Sequence, residues 1–487
     1  MDFIQGENRN QMILFPDSMD DYVDENNAVR VIDAYINSLD LSRLGFSKPQ
    51  PNDTGRPMYD PRDLLKLYVY GYMNRVRSSR RLETETKRNL EVIWLLRKLS
   101  PDHKTISRFR HDNTHALKNV FRDFAKLCVR LGLYGKELIA IDGSKFKAVN
   151  SKDRNFTSRK LQERLARIDA KIEEYLNELN TKDEQEHSVE QETSTAEITQ
   201  IITELSERRA LYESYVDELA QTGETQKSLT DPDSRLMHTN GRSDVCYNVQ
   251  TAVDAENNLI AEFNITNNAA DKNQLTPMVV RTKEILEADD FAIVADAGYD
   301  CASDIVESMQ TGVHVHIAKT DFDVCVPADS DAEIHTYHNG RSVYLADRNI
   351  VLCPMGKILY PGFYLKSGFG AFHNSRACKQ CVFPCRKEKK GNRFRVPMSK
   401  SNFSKTYNDK NLHMKQIRIA PDKSLIRRRK AIAEHPFGTI KRNMDAGYCL
   451  TKGLEHVSGE FSLTFLAYNL KRVINILGTK KLIELMV

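Results

Sequence analysis

The chain lacks any apolar stretch approaching the ~20 residues needed to span a bilayer, and its opening residues, Met1-Asp2-Phe3-Ile4-Gln5-Gly6-Glu7, lack a basic patch followed by an apolar run. The expectation is a soluble, cytoplasmic protein with no membrane partner. Cysteines are few and odd in number: nine in 487 residues, which argues against a disulfide framework and for reduced thiols or a metal site. A strong charge of one sign is also missing, since 71 bases against 67 acids leave +4, too little to demand a polyanionic partner. What is present is length and apolar content. At 487 residues, 40% apolar and 28% charged, the chain exceeds what one core usually serves and can bury several.

The small net charge is unevenly spread. Residues 181–224 hold 12 acids against 3 bases, and residues 376–400 hold 9 bases against 1 acid. Nucleic-acid handling would use such asymmetry, and so would an ordinary solvated basic face. From Pro61 to about Leu133 the pattern is helical, with Leu64, Leu65, Tyr68 and Tyr72, then Leu90, Ile93 and Leu96, at three- and four-residue steps. Within it Ser100-Pro101-Asp102-His103-Lys104-Thr105 reads as a helix start, and the following helix is expected to expose Arg108 and Arg110. It is either a DNA-reading helix or an ordinary capped helix in a bundle. Leu138-Ile139-Ala140-Ile141 reads as a buried strand ending on Asp142. Two heptad stripes follow, Leu161 to Leu179 and Ile198 to Leu219, joined by an acidic connection. They predict an antiparallel helical hairpin inserted into the core. Beyond it a β-hairpin (246–253 and 259–265, turning at Asn257-Asn258), a helix (274–288), a strand (291–295) ending on Asp296 and a further strand (313–318) give the order β-β-β-α-β-α-β. Residues 320–420 read as a long irregular segment, and helices close the chain, one over about 424–442 and another beyond Phe461.

Asp142 and Asp296 thus both stand at the C-terminal ends of apolar strands, where α/β arrangements gather ligands and catalytic groups. A third acid, Glu434, precedes Lys441 by seven residues, which on an α-helix places both on one face about two turns apart. Pro436 lies between them. Carboxylate oxygens suit Mg²⁺ or Mn²⁺, and two such ions stabilise the attacking and leaving oxygens of a phosphodiester displacement.

Ile141-Asp142-Gly143-Ser144, Ala295-Asp296-Ala297-Gly298-Tyr299 and Glu434-x6-Lys441 resemble the three acidic motifs of the DDE transposases of bacterial insertion sequences. Ser79-Arg80-Arg81-Leu82-Glu83 and Pro101-Asp102-His103-Lys104-Thr105 resemble the helical domain that often precedes their catalytic core. The resemblance implies an α/β fold with an RNase H-like mixed-sheet core behind an N-terminal all-α domain; the heptad hairpin read above then falls as an insertion between the first two core strands, and the cysteine-containing segment as an insertion before the last acidic helix. The expected divisions are 1–133 (helical, DNA-binding), 134–157 and 226–320 (core), 158–225 (hairpin), 321–420 (insertion) and 421–487 (last part of the core). It further implies that Asp142, Asp296 and Glu434 hold two Mg²⁺ or Mn²⁺ ions, that Lys441 contacts DNA beside the cleavage point, and that the protein acts as a homo-oligomer on inverted repeats and target DNA in a bacterial nucleoid. Where the family has Tyr and Arg, seven and four positions before the Glu, this chain has Arg427 and Lys430. Lysine keeps the charge and loses the planar fork.

Cys353, Cys378, Cys381 and Cys385 offer four thiols, either a structural zinc clip or reduced thiols in a loop. Arg386, Lys387, Lys389 and Lys390 would make the clip a platform for phosphates. Lys145, close behind Asp142, touches substrate phosphate or is simply solvated. The function expected is metal-dependent cleavage of the terminal inverted repeats and strand transfer. The alternatives are a metal-dependent nuclease without transfer and an inactive DNA-binding protein.

Overall fold

The computed structural model describes residues 18–47, 50, 58–183, 189–239, 241–301, 304–305, 307–308, 311–317, 322–327, 335–337, 342–346, 348–353, 357–379, 393–407, 414–419 and 423–486. The N-terminal third is helical: α1 (Ala28–Asn37), α2 (Leu41–Leu44), α3 (Pro61–Met73), α4 (Ser79–Arg88), α5 (Leu90–Leu95), α6 (His103–Asp112) and α7 (Thr114–Arg130). Side-chain caps start five of them, with Asn27, Asp40, Asp60, Asn89 and Asp102 each accepting a hydrogen bond from a first-turn N–H. In α3, Leu64, Leu65, Tyr68 and Tyr72 are all buried.

The main sheet is built from β1 (Leu138–Lys147), β4 (Arg235–Thr239), β5 (Arg242–Asp254), β6 (Ile260–Thr266), β7 (Ala292–Ala295) and β8 (His314–Ile317), while β2 (Asn155–Thr157) and β3 (Gln226–Ser228) form a separate ribbon. Its strand order is β4-β5-β1-β7-β8, with β6 on the C-terminal half of β5. The β1–β5 and β5–β6 pairs are antiparallel, and β1–β7 and β7–β8 are parallel. The turn into β6 uses Asn258 at φ 52°, a left-handed position that asparagine tolerates well. After β6, the helix α10 (Leu275–Leu286) makes the crossover to β7. Its first two N–H groups, of Leu275 and Thr276, are capped by the buried Asp304 carboxylate at 3.0 and 2.9 Å.

The helical third and the sheet share one core, continuous from Val23 to Leu482. Phe121 of α7 meets Phe263 of β6 edge-on at 5.1 Å, and Phe263 lies 4.8 Å from Phe465 on the C-terminal helix Leu454–Leu477. Arg77 ties the same surfaces together. It donates to Glu460 Oε1 at 2.5 Å and to the carbonyls of Asp445 and Tyr448 at 2.7 and 2.6 Å, with both charged side chains buried.

The expected inserted hairpin is present as α8 (Ser158–Asp183) and α9 (Val189–Thr222), clasped at its base by the β2–β3 ribbon and a small core of Phe156, Leu161 and Leu219. Arg209 pairs with Asp169 across the two helices at 2.7 Å. Residues 320–420, expected to be irregular, instead contain a six-stranded antiparallel meander, running in order through His335–Tyr337, Ser342–Leu345, Ile350–Leu352, Ile358–Leu365, Phe369–His373 and Arg393–Pro397. It has its own core of Tyr344, Val351, Leu359, Phe372, Phe394 and Val396. Its strands are short, and Pro361-Gly362 interrupts one of them at a register shift, which hides the alternation in the sequence. Among the described residues no helix is long and apolar enough to cross a membrane.

Candidate functional site

The parallel β1–β7 ladder ends on the pair Ile141↔Ala295. The next residue on each chain is an aspartate, so Asp142 and Asp296 follow side by side on strands about 4.8 Å apart. Asp296 comes directly after its strand, as expected. Asp142 does not end one: β1 runs on to Lys147 because β5 continues to pair with it as far as Lys147↔Cys246. The site therefore sits on an open ledge, where β1 outlasts its parallel neighbour.

Cross-strand pairs share a sheet face, and the faces alternate along β1. Asp142, Ser144 and Phe146 point toward the closing helices, where Phe146 packs on Phe437 and Phe461 at 6.0 and 4.7 Å. Gly143 and Lys145 point the other way with their partners Gln250 and Asn248. On the first face, Lys441 donates to Ser144 Oγ at 2.7 Å and to the Lys145 carbonyl at 3.1 Å, with Nζ 4.4 Å from the centre of the Phe146 ring. Burial lowers the Lys441 pKa, and the thiol of Cys246 and the carboxylate of Asp142 oppose that fall.

The Asp142 side chain is 19% exposed. Burial pushes its carboxyl up to about 6, against the attraction of Arg429 and the Gly143 N–H, and the negative charges of Asp296 and Asp271 add to the rise. Arg429 stands 3.8 Å away, and Gly143 donates its N–H to Asp142 Oδ1 at 2.9 Å. Asp296 is exposed and accepts the Ala297 N–H at 2.6 Å, capping the short turn Ala297–Tyr299. Tyr299, the last residue of that turn, is fully buried and donates to Gln250 Oε1.

Glu434 and Lys441 belong to a helix that is α over Lys423–Gly438 and π over Thr439–Asn443. Pro436 has no N–H for the carbonyl four residues back, and the backbone widens just after it. The straight-helix expectation of one shared face thus does not carry across the junction. Lys441 is drawn onto β1, Glu434 is exposed on the helix, and Arg429 is the residue of this helix that reaches Asp142. Among the described residues no group of three His, Cys, Asp or Glu side chains is disposed to hold a metal ion, so Glu434 is not gathered with Asp142 and Asp296. The donor chemistry of the aspartate pair nevertheless fits a hard divalent cation. Two carboxylates lie on adjacent strands, one of them in a setting that solvates its charge poorly.

Arg427 and Lys430 are exposed on the outer side of the same helix. Arg108 is 82% exposed and paired to Asp112 at 3.4 Å. The expectation that α6 also exposes Arg110 is corrected: that side chain is buried, donates to the Tyr72 hydroxyl at 3.1 Å and lies over the Tyr68 ring. Lys145 is likewise not freely solvated, with 12% of its side chain exposed and its Nζ 3.4 Å from Asp271. The Lys357 N–H donates to the Cys353 sulfur at 3.3 Å. Cys381, Cys385 and the side chain of Cys378 lie outside the described residues.

Reading the sequence did not find Asp271, Asn248, Gln250 or Arg429. For Asn248 and Gln250 a signal existed, two amides at i and i+2 on the same face of a strand, flanking Val249. Asp271 sits in a loop and Arg429 in a run of arginines, and neither pattern marks a site. Residues 17–112 match the family model described as Transposase domain (DUF772), and residues 134–470 match the one described as Transposase DDE domain. No curated protein matches the chain.

Proposed function

This chain belongs to the transposase DDE domain family, and on that premise we propose that it binds the terminal inverted repeats of an insertion sequence, cleaves them and joins the freed 3′ ends to target DNA. The observation that carries the reading is the ladder ending at Ile141↔Ala295, which leaves two aspartates adjacent at the C-terminal end of the parallel pair in the interior of the sheet. The strand order, three antiparallel strands followed by two parallel to the first, supports an RNase H-like core.

In this reading Asp142, Asp296 and Glu434 hold Mg²⁺ or Mn²⁺. When bound, those ions supply charge stabilisation at the attacking and leaving oxygens of the phosphodiester. Asp142 provides a rigid oxygen donor because its backbone stays paired with β5, and Asp296 because it directly follows Ala295, the last paired residue of β7. Glu434, on the helix, completes the set only if the segment after Arg429 moves toward the sheet, and DNA entering between them supplies the occasion. Lys441 is already held at the ledge by Ser144 and offers its ammonium to the phosphate beside the cut. Arg427, Lys430 and Arg108 give the exposed positive charge that a phosphate backbone needs.

The test is incubation of the full chain with DNA carrying candidate inverted repeats, with and without Mg²⁺, resolved on a denaturing gel. Nicked and joined products are expected from the wild type and neither from Asp296→Asn. Wild-type nicking or joining by Asp296→Asn would overturn the reading, and nicks without joined molecules would reassign the protein as a nuclease.

A further inference from the structure

Two glycines follow the two aspartates of the site by one and two residues, Gly143 after Asp142 and Gly298 after Asp296. Neither has a left-handed φ, so backbone conformation does not call for glycine at either place. Space does. A Cβ on Gly143 would overlap Gln250 Nε2 and stand 2.6 Å from Asp271 Oδ1, and a Cβ on Gly298 would stand 3.2 Å from Asp271 Oδ2. One carboxylate therefore fills the gap between the strand at Gly143 and the turn at Gly298, an oxygen toward each.

That carboxylate is firmly seated. Asp271 Oδ1 accepts from Asn248 Nδ2 and Gln250 Nε2, both at 2.8 Å, with Lys145 Nζ at 3.4 Å. Asn248 and Gln250 are completely buried, and Gln250 continues the chain of bonds to Tyr299 in the turn after Asp296. Asn248 Oδ1 is buried next to Gly143 and has no hydrogen-bond partner among the described residues. Committing a wholly buried amide pair and a largely buried lysine to one loop acid is costly unless the acid's position matters.

We propose that Asp271 is a positioning residue for the aspartate pair. It lies on the opposite sheet face from Asp142 and acts through the β1 backbone at Gly143 and the turn at Gly298, setting the spacing of Asp142 and Asp296 and so the affinity of the pair for divalent cations. This inference rests on the reading of the pair as a cation site.

The test uses the full chain in two measurements: Mn²⁺ binding without DNA, followed by electron paramagnetic resonance, and the Mg²⁺ concentration for half-maximal cleavage of repeat-bearing DNA. Asp271→Ala is expected to raise both midpoints about tenfold or more, the loss typical when a group orienting metal ligands is removed. Asp271→Asn, which keeps the shape and the spacing, is expected to retain most of the Mn²⁺ affinity. Should Asp271→Ala fail to fold, Gly143→Ala, which displaces the same carboxylate from its seat, takes its place with the same expectation. Unchanged midpoints in the variant that folds would overturn the inference. Asp142→Asn is the control for the underlying reading: wild-type Mn²⁺ binding and cleavage by that variant would show that the site itself is misassigned, whatever Asp271 does.

Discussion

Replacing Asp142 with asparagine should remove activity and make the protein more stable. The side chain is four-fifths buried, and its carboxyl is pushed from the ordinary 3.8 up to about 6. At ~1.36 kcal/mol per pH unit, that rise makes the ionised form about 3 kcal/mol less favourable in the folded chain than in the unfolded one. The figure already contains the attraction of Arg429, and the residual exposure to water reduces it to about 1–3 kcal/mol. Asparagine has the same shape, can still accept the Gly143 N–H and carries no charge to desolvate. The sign follows from linkage: the folded state binds the proton more tightly, so the penalty is complete above about pH 6, shrinks as the pH falls through that value and is gone below 3.8. Urea unfolding of wild type and Asp142→Asn in metal-free buffer, at pH 8 and at steps down to pH 4, measures it. The variant should be the more stable at pH 8, with the gap closing toward pH 4. An Asp142→Asn protein that is equally or less stable at pH 8 would refute the view of Asp142 as a charge held at a cost. Mg²⁺ at ten times its dissociation constant should return about 1.4 kcal/mol to the wild type and nothing to the variant.

Lys441→Ala should leave the helix folded, while the slope of log binding constant for repeat DNA against log salt loses about one unit, because one phosphate contact is gone. An identical slope would remove Lys441 from the DNA path. Arg77→Ala strands the buried Glu460 charge and frees the carbonyls of Asp445 and Tyr448. It should cost about 3–5 kcal/mol, read as a lowered urea midpoint or loss of soluble protein. An unchanged midpoint would show that the helical third and the C-terminal helix are held together elsewhere.

The strands that carry the two aspartates were legible because their apolar runs, 138–141 and 292–295, are buried on both faces and need no tertiary information to be recognised. The extension of β1 through Gly143-Ser144-Lys145 was not, since those residues are strand only by virtue of β5 alongside. A helix around Glu434 was legible, but its rotation was not: periodicity assumes a constant turn, and the π segment after Pro436 breaks that assumption. The burial of Arg110 escaped notice for a related reason. An arginine at a core position of α6 reads as a surface charge until Tyr68 and Tyr72 are seen to surround it. Asp271 reaches the site through a loop whose path depends on the whole sheet, so nothing local foretells it.

The ribbon at the foot of the long hairpin has a practical meaning. The chain departs through Asn155–Thr157 and returns through Gln226–Ser228, and Asn155 and Ser228 are cross-strand partners. Exit and re-entry are thus neighbours, and the two helices, about 39 and 51 Å long at 1.5 Å per residue, form an outrigger whose length is independent of the sheet that carries it. Such an arm can be trimmed, lengthened or exchanged by whole turns while the ledge bearing Asp142 keeps its shape.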